Sequence, residues 1–74
     1  MYVPGQTVKV SIGENEATAS RAVREFEGFI TRVKEVKPYK GSIFTYILED
    51  VYSLYGVYYE FAEEWLIPWV EVRK

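Results

Sequence analysis

Apolar and polar residues take turns along much of this chain, and the spacing predicts short β-strands. Val8, Val10 and Ile12 alternate with Thr7, Lys9 and Ser11, the period of two that buries one face of a strand. The Pro4-Gly5 turn opens this first strand. Residues 13 to 24 lose the alternation and contain three alanines, so a long loop with one helical turn is expected there. From Phe26 the pattern resumes, with Phe26, Gly28 and Ile30 pointing one way and Glu27, Phe29 and Thr31 the other. Val33 falls on the opposite parity from Ile30, so a bulge near Arg32 is expected to bring both inside. The cluster Lys37-Pro38-Tyr39-Lys40-Gly41 reads as a turn.

Ile43 to Glu49 is rich in β-branched and aromatic residues, with Phe44, Tyr46 and Leu48 on one face and Ile43, Thr45 and Ile47 on the other. It forms the third strand, and its two apolar faces imply either cover on both sides or a partner on one. Residues 50 to 56 make the next connection. Val57, Tyr59 and Phe61 then alternate with Tyr58 and Glu60 as the fourth strand. Ala62 to Leu66 suits a single 3₁₀ or α turn, with Glu63 and Glu64 at its start. Pro68 is expected to stop that turn, and Trp69 to Val72 to supply a fifth strand. Five short strands separated by turns suggest a small closed barrel, since closure hides strand edges.

Composition narrows the picture. Seventy-four residues leave room for one core, so 1–74 is read as a single domain. With no cysteine and no histidine, there is no disulfide, no thiolate site and no imidazole base, and packing must hold the fold. Apolar residues form 49% of the chain and aromatics 18%, far from a disordered composition. Apolar runs such as Val51 to Tyr59 are much shorter than the roughly 20 residues that span a bilayer. No membrane association is expected, and the lack of a leader pattern points to the cytoplasm.

The motifs Pro4-Gly5-x-x-Val8-x-Val10, Phe26-x-Gly28-x-Ile30-x-x-Val33, Tyr46-x-Leu48-Glu49 and Tyr59-x-Phe61-x-Glu63-x-x-Leu66-x-Pro68 resemble those of small bacterial and phage SH3-like barrel proteins. The resemblance covers residues 4 to 70 apart from the 13 to 24 insertion. It implies an all-β, five-stranded SH3-like barrel with a long first loop, three meander strands and a short 3₁₀ turn before the last strand. It also implies a binding role, although members differ widely in partner and a shared fold does not choose among them. The Ala-Leu-Tyr-Asp-Tyr opening of eukaryotic SH3 domains, which bind proline-rich peptides, is missing.

Enzymatic chemistry finds no inventory here. No Ser/His or Cys/His combination exists, and the five glycines are scattered singly. The pairs Glu49/Asp50 and Glu63/Glu64 have the chemistry for acid/base work or a hard cation. Solvated surface charge, with a helix-start role for Glu63 and Glu64, explains them more simply. The expectation is a non-enzymatic chain with no cofactor and no metal.

Two surfaces compete for a binding role. Tyrosine and tryptophan offer rigid contact area with a polar handle, and Tyr52, Tyr55, Tyr58, Tyr59, Trp65 and Trp69 crowd the carboxy-terminal half. A chain this small needs many of its aromatics as core, which claims Tyr59, Phe61 and one tryptophan. Tyr58 by alternation, and Tyr52 and Tyr55 as loop residues, are left to face outward. Flanked by Glu49, Asp50 and Glu60, they predict a protein-binding surface for a basic partner, in an adaptor or inhibitor of phage or mobile-element origin. A homodimer through a strand edge is a version of the same idea.

The alternative is nucleic-acid binding through Arg32, Lys34, Lys37, Tyr39 and Lys40, within a 21 to 40 segment that also holds Arg21 and Arg24 and carries a net +3 (six cations against Glu25, Glu27 and Glu35). The interleaved glutamates dilute that stripe, and a mixed-charge solvated face accounts for it better. A small ligand in a tyrosine-lined barrel mouth is a third reading, opposed by the side chains that fill so narrow an interior.

Overall fold

The structure, a computed structural model, describes residues 1–13 and 21–70. It is built on five antiparallel strands: β1 (Thr7–Val10), β2 (Ile30–Lys40), β3 (Ile43–Tyr52), β4 (Tyr58–Ala62) and β5 (Leu66–Pro68). One helical turn, α1 (Arg21–Arg24), precedes β2, and a 3₁₀ turn (Glu63–Trp65) joins β4 to β5. The strands form one sheet in the order β4-β3-β2-β1-β5. The loop expected over 13–24 meets the structure in Gly13 and in α1; residues 14–20 lie outside the described part.

β2 is shared between two ladders. Its start pairs with β1 (Thr7 opposite Arg32, Lys9 opposite Ile30) and its remainder with β3 (Val33 opposite Leu48, Pro38 opposite Phe44). β4 and β5 are the outermost strands of this order, yet only the three residues of the 3₁₀ turn separate them in the chain. Four Cα–Cα steps reach at most about 15 Å, whereas five flat strands would spread over about 19 Å. The sheet must therefore curl, and it curls around one core. Val8, Val10, Ile12, Val23, Val33, Tyr46, Leu48, Val51, Phe61 and Leu66 are all buried there, with Tyr2, Phe26, Val36, Phe44, Tyr59 and Trp65 packed against them.

Several boundaries differ from the alternation, each for a physical reason. Phe26 and Gly28 precede the strand rather than beginning it: the Phe26 and Glu27 amides donate to the Val23 and Arg24 carbonyls, continuing the helical turn. The Glu27 carboxylate anchors this turn by accepting from the amides of Ile12 (2.9 Å) and Gly13 (3.2 Å). Ile30 is exposed. The register shift lies between Val33 and Glu35 rather than near Arg32, so it brings Val33 and Val36 onto the core side instead of Ile30 and Val33.

Pro38 and Tyr39 belong to β2 and not to a turn, which is confined to Gly41 and Ser42. Proline is tolerated because β1 pairs only with the start of β2, leaving Pro38 no ladder on that side among the described residues. β3 runs on to Tyr52, past a register shift of the β3–β4 ladder between Ile47 and Tyr52. Asp50 there has φ 63°, a left-handed conformation that aspartate tolerates better than most side chains, and the irregularity leaves Val51 fully buried.

β5 is Leu66–Pro68, and Trp69 and Val70, expected to begin the fifth strand, lie beyond its end. Leu66 is the buried residue opposite Val10, and Pro68 lies opposite Val8. The Trp69 amide donates to the carbonyl of Thr7, the first residue of β1, at 3.1 Å, so the pairing runs out there. Lys9 Nζ lies 4.6 Å from the Trp69 ring centroid. Residues 71 and 72 of the expected strand lie outside the described residues.

The β3–β4 connection is a tight loop. The Ser53 amide donates to the Val57 carbonyl (2.8 Å) and the Gly56 amide to the Ser53 carbonyl (2.9 Å). Gly56 holds φ +77°, where a Cβ is strained even in open space. Gly56→Ala is expected to destabilise by about 1 kcal/mol, lowering the thermal midpoint by roughly 4–8 °C. Circular-dichroism melting checks this; an unchanged midpoint would mean that the loop does not need this backbone geometry.

Candidate functional site

The β3–β4 ladder brings the predicted tyrosines together. Tyr52 and Tyr58 are register partners, and their rings meet edge to face at 5.5 Å and 67°, a favoured aromatic geometry. Between them Ser53 organises the loop, its Oγ accepting from the amides of Tyr55 and Val57, both at 3.2 Å. Leu54 and Tyr55 are held at the tip, where Leu54 is fully exposed and Tyr55 is 92% exposed. Val57 and Tyr52 are also exposed, and Tyr58 stands at 37%. Tyr52 occupies the end of a strand rather than a loop, which makes its position more rigid than the alternation implied. Leu54 joins the patch from within the connection, and Val57, expected to open the fourth strand on the face of Tyr59 and Phe61, instead precedes β4 and is exposed beside it.

The acidic flank is only partly where the sequence suggested. Glu49 is half-buried, and its carbonyl accepts from Thr31 Oγ1 at 2.9 Å. Asp50 is exposed at the left-handed position just before Val51. Glu60 turns elsewhere, accepting a 2.7 Å hydrogen bond from Thr45 Oγ1. A cation stands at the patch itself, with Lys34 Nζ 5.4 Å from the Tyr58 ring centroid, within cation–π range.

Arg32, Lys34, Lys37, Tyr39 and Lys40 are spread along the 11 residues of β2, about 35 Å of extended chain. All are exposed. Tyr39, the one aromatic available to stack a base in this set, lines a groove that also contains Glu60, Glu63 and Glu64. Those carboxylates repel a phosphate backbone.

That groove is open to solvent and encloses about 840 Å³. It lies where the β2–β3 turn, the ends of β3 and β4, the 3₁₀ turn and the amino-terminal segment meet, with Tyr2, Tyr39, Ile43, Phe44 and Trp65 as its large walls. Two of its lining residues are tied together by the buried Tyr46, whose hydroxyl donates to Glu63 Oε1 (2.8 Å) and accepts from the Tyr2 amide (3.2 Å). Tyr2 in turn donates from its hydroxyl to the Leu66 carbonyl at 2.9 Å, and the two rings meet at 5.4 Å and 69°. Burial first, and then the negative charge of Glu63, raises the Tyr2 hydroxyl pKa above its ordinary value. The Tyr46 hydroxyl is raised for the same leading reason, with Glu63 reinforcing the effect and the bond from the Tyr2 amide opposing it.

Trp65 Nε1 is buried without an acceptor, a loss of the order of 1–3 kcal/mol for an unmet donor. No group of three acidic, histidine or cysteine side chains among the described residues is placed to hold a metal ion. No described helix is long and apolar enough to cross a membrane. Sequence reasoning missed the groove because its walls come from residues 2, 39, 43–44 and 65, which no local pattern connects.

Comparison with protein-family models, with curated proteins and with solved structures finds no match to this chain.

Proposed function

We propose that this chain is a non-enzymatic protein-binding module, an adaptor or inhibitor on an SH3-like scaffold, whose contact surface is the tip of the β3–β4 hairpin. The observation that carries the reading is the simultaneous exposure of Tyr52, Leu54, Tyr55, Val57 and Tyr58 on one well-braced loop. Large apolar side chains gathered on a surface are the usual mark of an interaction site. The Ser53 hydrogen bonds hold that loop in shape before any partner arrives, which reduces the ordering cost of association. Asp50 beside the patch suits a partner with basic groups around an apolar centre, while Lys34 against Tyr58 supplies a counter-charge within it. The chain has neither histidine nor cysteine, consistent with recognition rather than turnover.

The double change Leu54→Ala/Tyr55→Ala tests the proposal, because both side chains are exposed and their loss leaves the core intact. Its melting midpoint is expected to stay within about 2 °C of the parent, while affinity for the partner drops more than tenfold, roughly the loss of one interfacial hot spot. Tagged parent and variant chains incubated with native-host extract, together with sedimentation of each pure protein, provide the readout. An identical set of captured proteins and an identical sedimentation coefficient would remove the hairpin tip from consideration.

A further inference from the structure

The acidic groove lies at the opposite end of β3 from the hairpin tip. Ile43, the first residue of that strand, lines the groove, and Tyr52, the last, belongs to the tip; ten residues span about 30 Å. The two surfaces are therefore separate. Among the described residues, three glutamates line the groove and no lysine or arginine does. Glu60 is met within the fold by the Thr45 hydroxyl. Glu63 is met by the Tyr46 hydroxyl and, at 3.8 Å, by the α-ammonium of Met1. Carboxylates beside low-dielectric aromatic walls focus a negative potential into the cleft, and faces such as those of Tyr2, Tyr39 and Trp65 attract cations. The raised pKa values of Tyr2 and Tyr46 follow in part from the same field.

We propose that this groove is a second binding site, for an extended arginine- or lysine-bearing segment of a partner protein. The commitment to a peptide follows from size and openness. A space of about 840 Å³ is near the upper end of ligand pockets, roughly 300–1,000 Å³, and it is an open cleft rather than an enclosed cavity. Apolar walls take the aliphatic stems and neighbouring apolar side chains of the segment, while Glu60, Glu63 and Glu64 take its cationic heads. This inference rests on the chain being a binding module, but it does not depend on the hairpin tip.

Nuclear magnetic resonance on the full-length ¹⁵N-labelled chain supplies the test, using an end-capped peptide that alternates arginine with leucine and a control in which glutamate replaces each arginine. Saturable shifts are expected in the amides of residues 42–45 and 62–65 and in the Trp65 indole N–H, weakening as salt is raised. Glu60→Gln/Glu63→Gln keeps an acceptor for Thr45 and Tyr46 while removing two charges, and it is expected to weaken the peptide about tenfold. Glu60→Gln alone, at an exposed position, is expected to give a smaller loss in the same direction should the double variant melt early. Leu54→Ala/Tyr55→Ala should bind the peptide as the parent does, so failure at the tip and failure at the groove are read separately. Four results would each overturn the groove proposal: no saturable shift, equal response to the glutamate peptide, shifts confined to residues 52–58, or saturation by free arginine at the same concentration as the peptide.

Discussion

Phe61→Ala is expected to cost the fold about 3–5 kcal/mol of stability. Phe61 is fully buried, lies opposite Tyr46 on β3 and meets the Trp65 ring edge to face at 6.3 Å and 83°. It therefore joins an outermost strand, the centre of the sheet and the 3₁₀ turn that carries the chain from β4 to β5. Truncating a buried phenylalanine costs about 3–5 kcal/mol in transfer free energy and cavity formation. Proteins hold roughly 0.05–0.15 kcal/mol per residue, which for a chain of this length is about 4–11 kcal/mol in total. The loss thus takes from about a quarter to all of what is available. Urea denaturation followed by circular dichroism measures it, and a change below about 1 kcal/mol would show that Phe61 does not occupy the core.

Tyr46→Phe is the second large effect, because it removes one oxygen and leaves two groups short of a partner. The aromatic ring stays, so no cavity opens. What disappears is the bond donated to the Glu63 carboxylate and the acceptor for the Tyr2 amide. Hydrogen bonds to charged groups contribute about 1.5–3 kcal/mol and neutral ones about 0.5–1.5 kcal/mol; the Glu63 side chain is 54% exposed, which weakens its share, so a loss in the lower part of the combined range, about 2–3 kcal/mol, is expected from urea midpoints. An unchanged midpoint would mean that water replaces the hydroxyl without penalty.

The same hydroxyls are expected to contribute to alkaline destabilisation of the fold. Tyr2 and Tyr46 both have pKa values raised above the ordinary 10.0, so the folded chain keeps these protons at a pH where the unfolded chain has begun to lose them. Below pH 10 both states are protonated and the contribution is complete; above it the unfolded state binds fewer protons and stability falls as pH rises through the folded values. Urea midpoints measured from about pH 8 to pH 11 should be flat and then decline. The decline should be shallower in Tyr2→Phe/Tyr46→Phe, and an equal slope in that variant would assign the alkaline loss to other groups.

The all-β character of the chain was legible because side-chain alternation is a property of the strand itself. Val8 and Val10, or Tyr46 and Leu48, are two apart and must share a face, and all four are buried. Tyr59 and Phe61 followed the same rule. The 3₁₀ turn at Glu63–Trp65 was legible as well, since it is too short for anything else. The exposure of Tyr52, Tyr55 and Tyr58 could be anticipated from parity and from turn residues nearby.

Where parity breaks, the sequence is silent about the exact residue. The register shift after Val33, the left-handed Asp50 and the assignment of β5 to Leu66–Pro68 depend on which partner strand supplies the opposing residues, and those partners lie far away in the chain. Phe26 illustrates the limit. Its alternation with Gly28 suits a strand, but the Val23 carbonyl and the Glu27 contacts to Ile12 and Gly13 hold a helical turn instead.

The sequence by itself determined a β-rich chain with an aliphatic and aromatic core and without imidazole or thiol chemistry, because those follow from residue identity and nearest-neighbour spacing. Only the tertiary structure decided that Glu60 leaves the tyrosine patch for Thr45, and that Tyr2, Tyr39 and Trp65 converge with three carboxylates at the other end of β3. The physical reason is that convergence requires the sheet to curl, and curling is set by long-range pairing and by where the bulges fall.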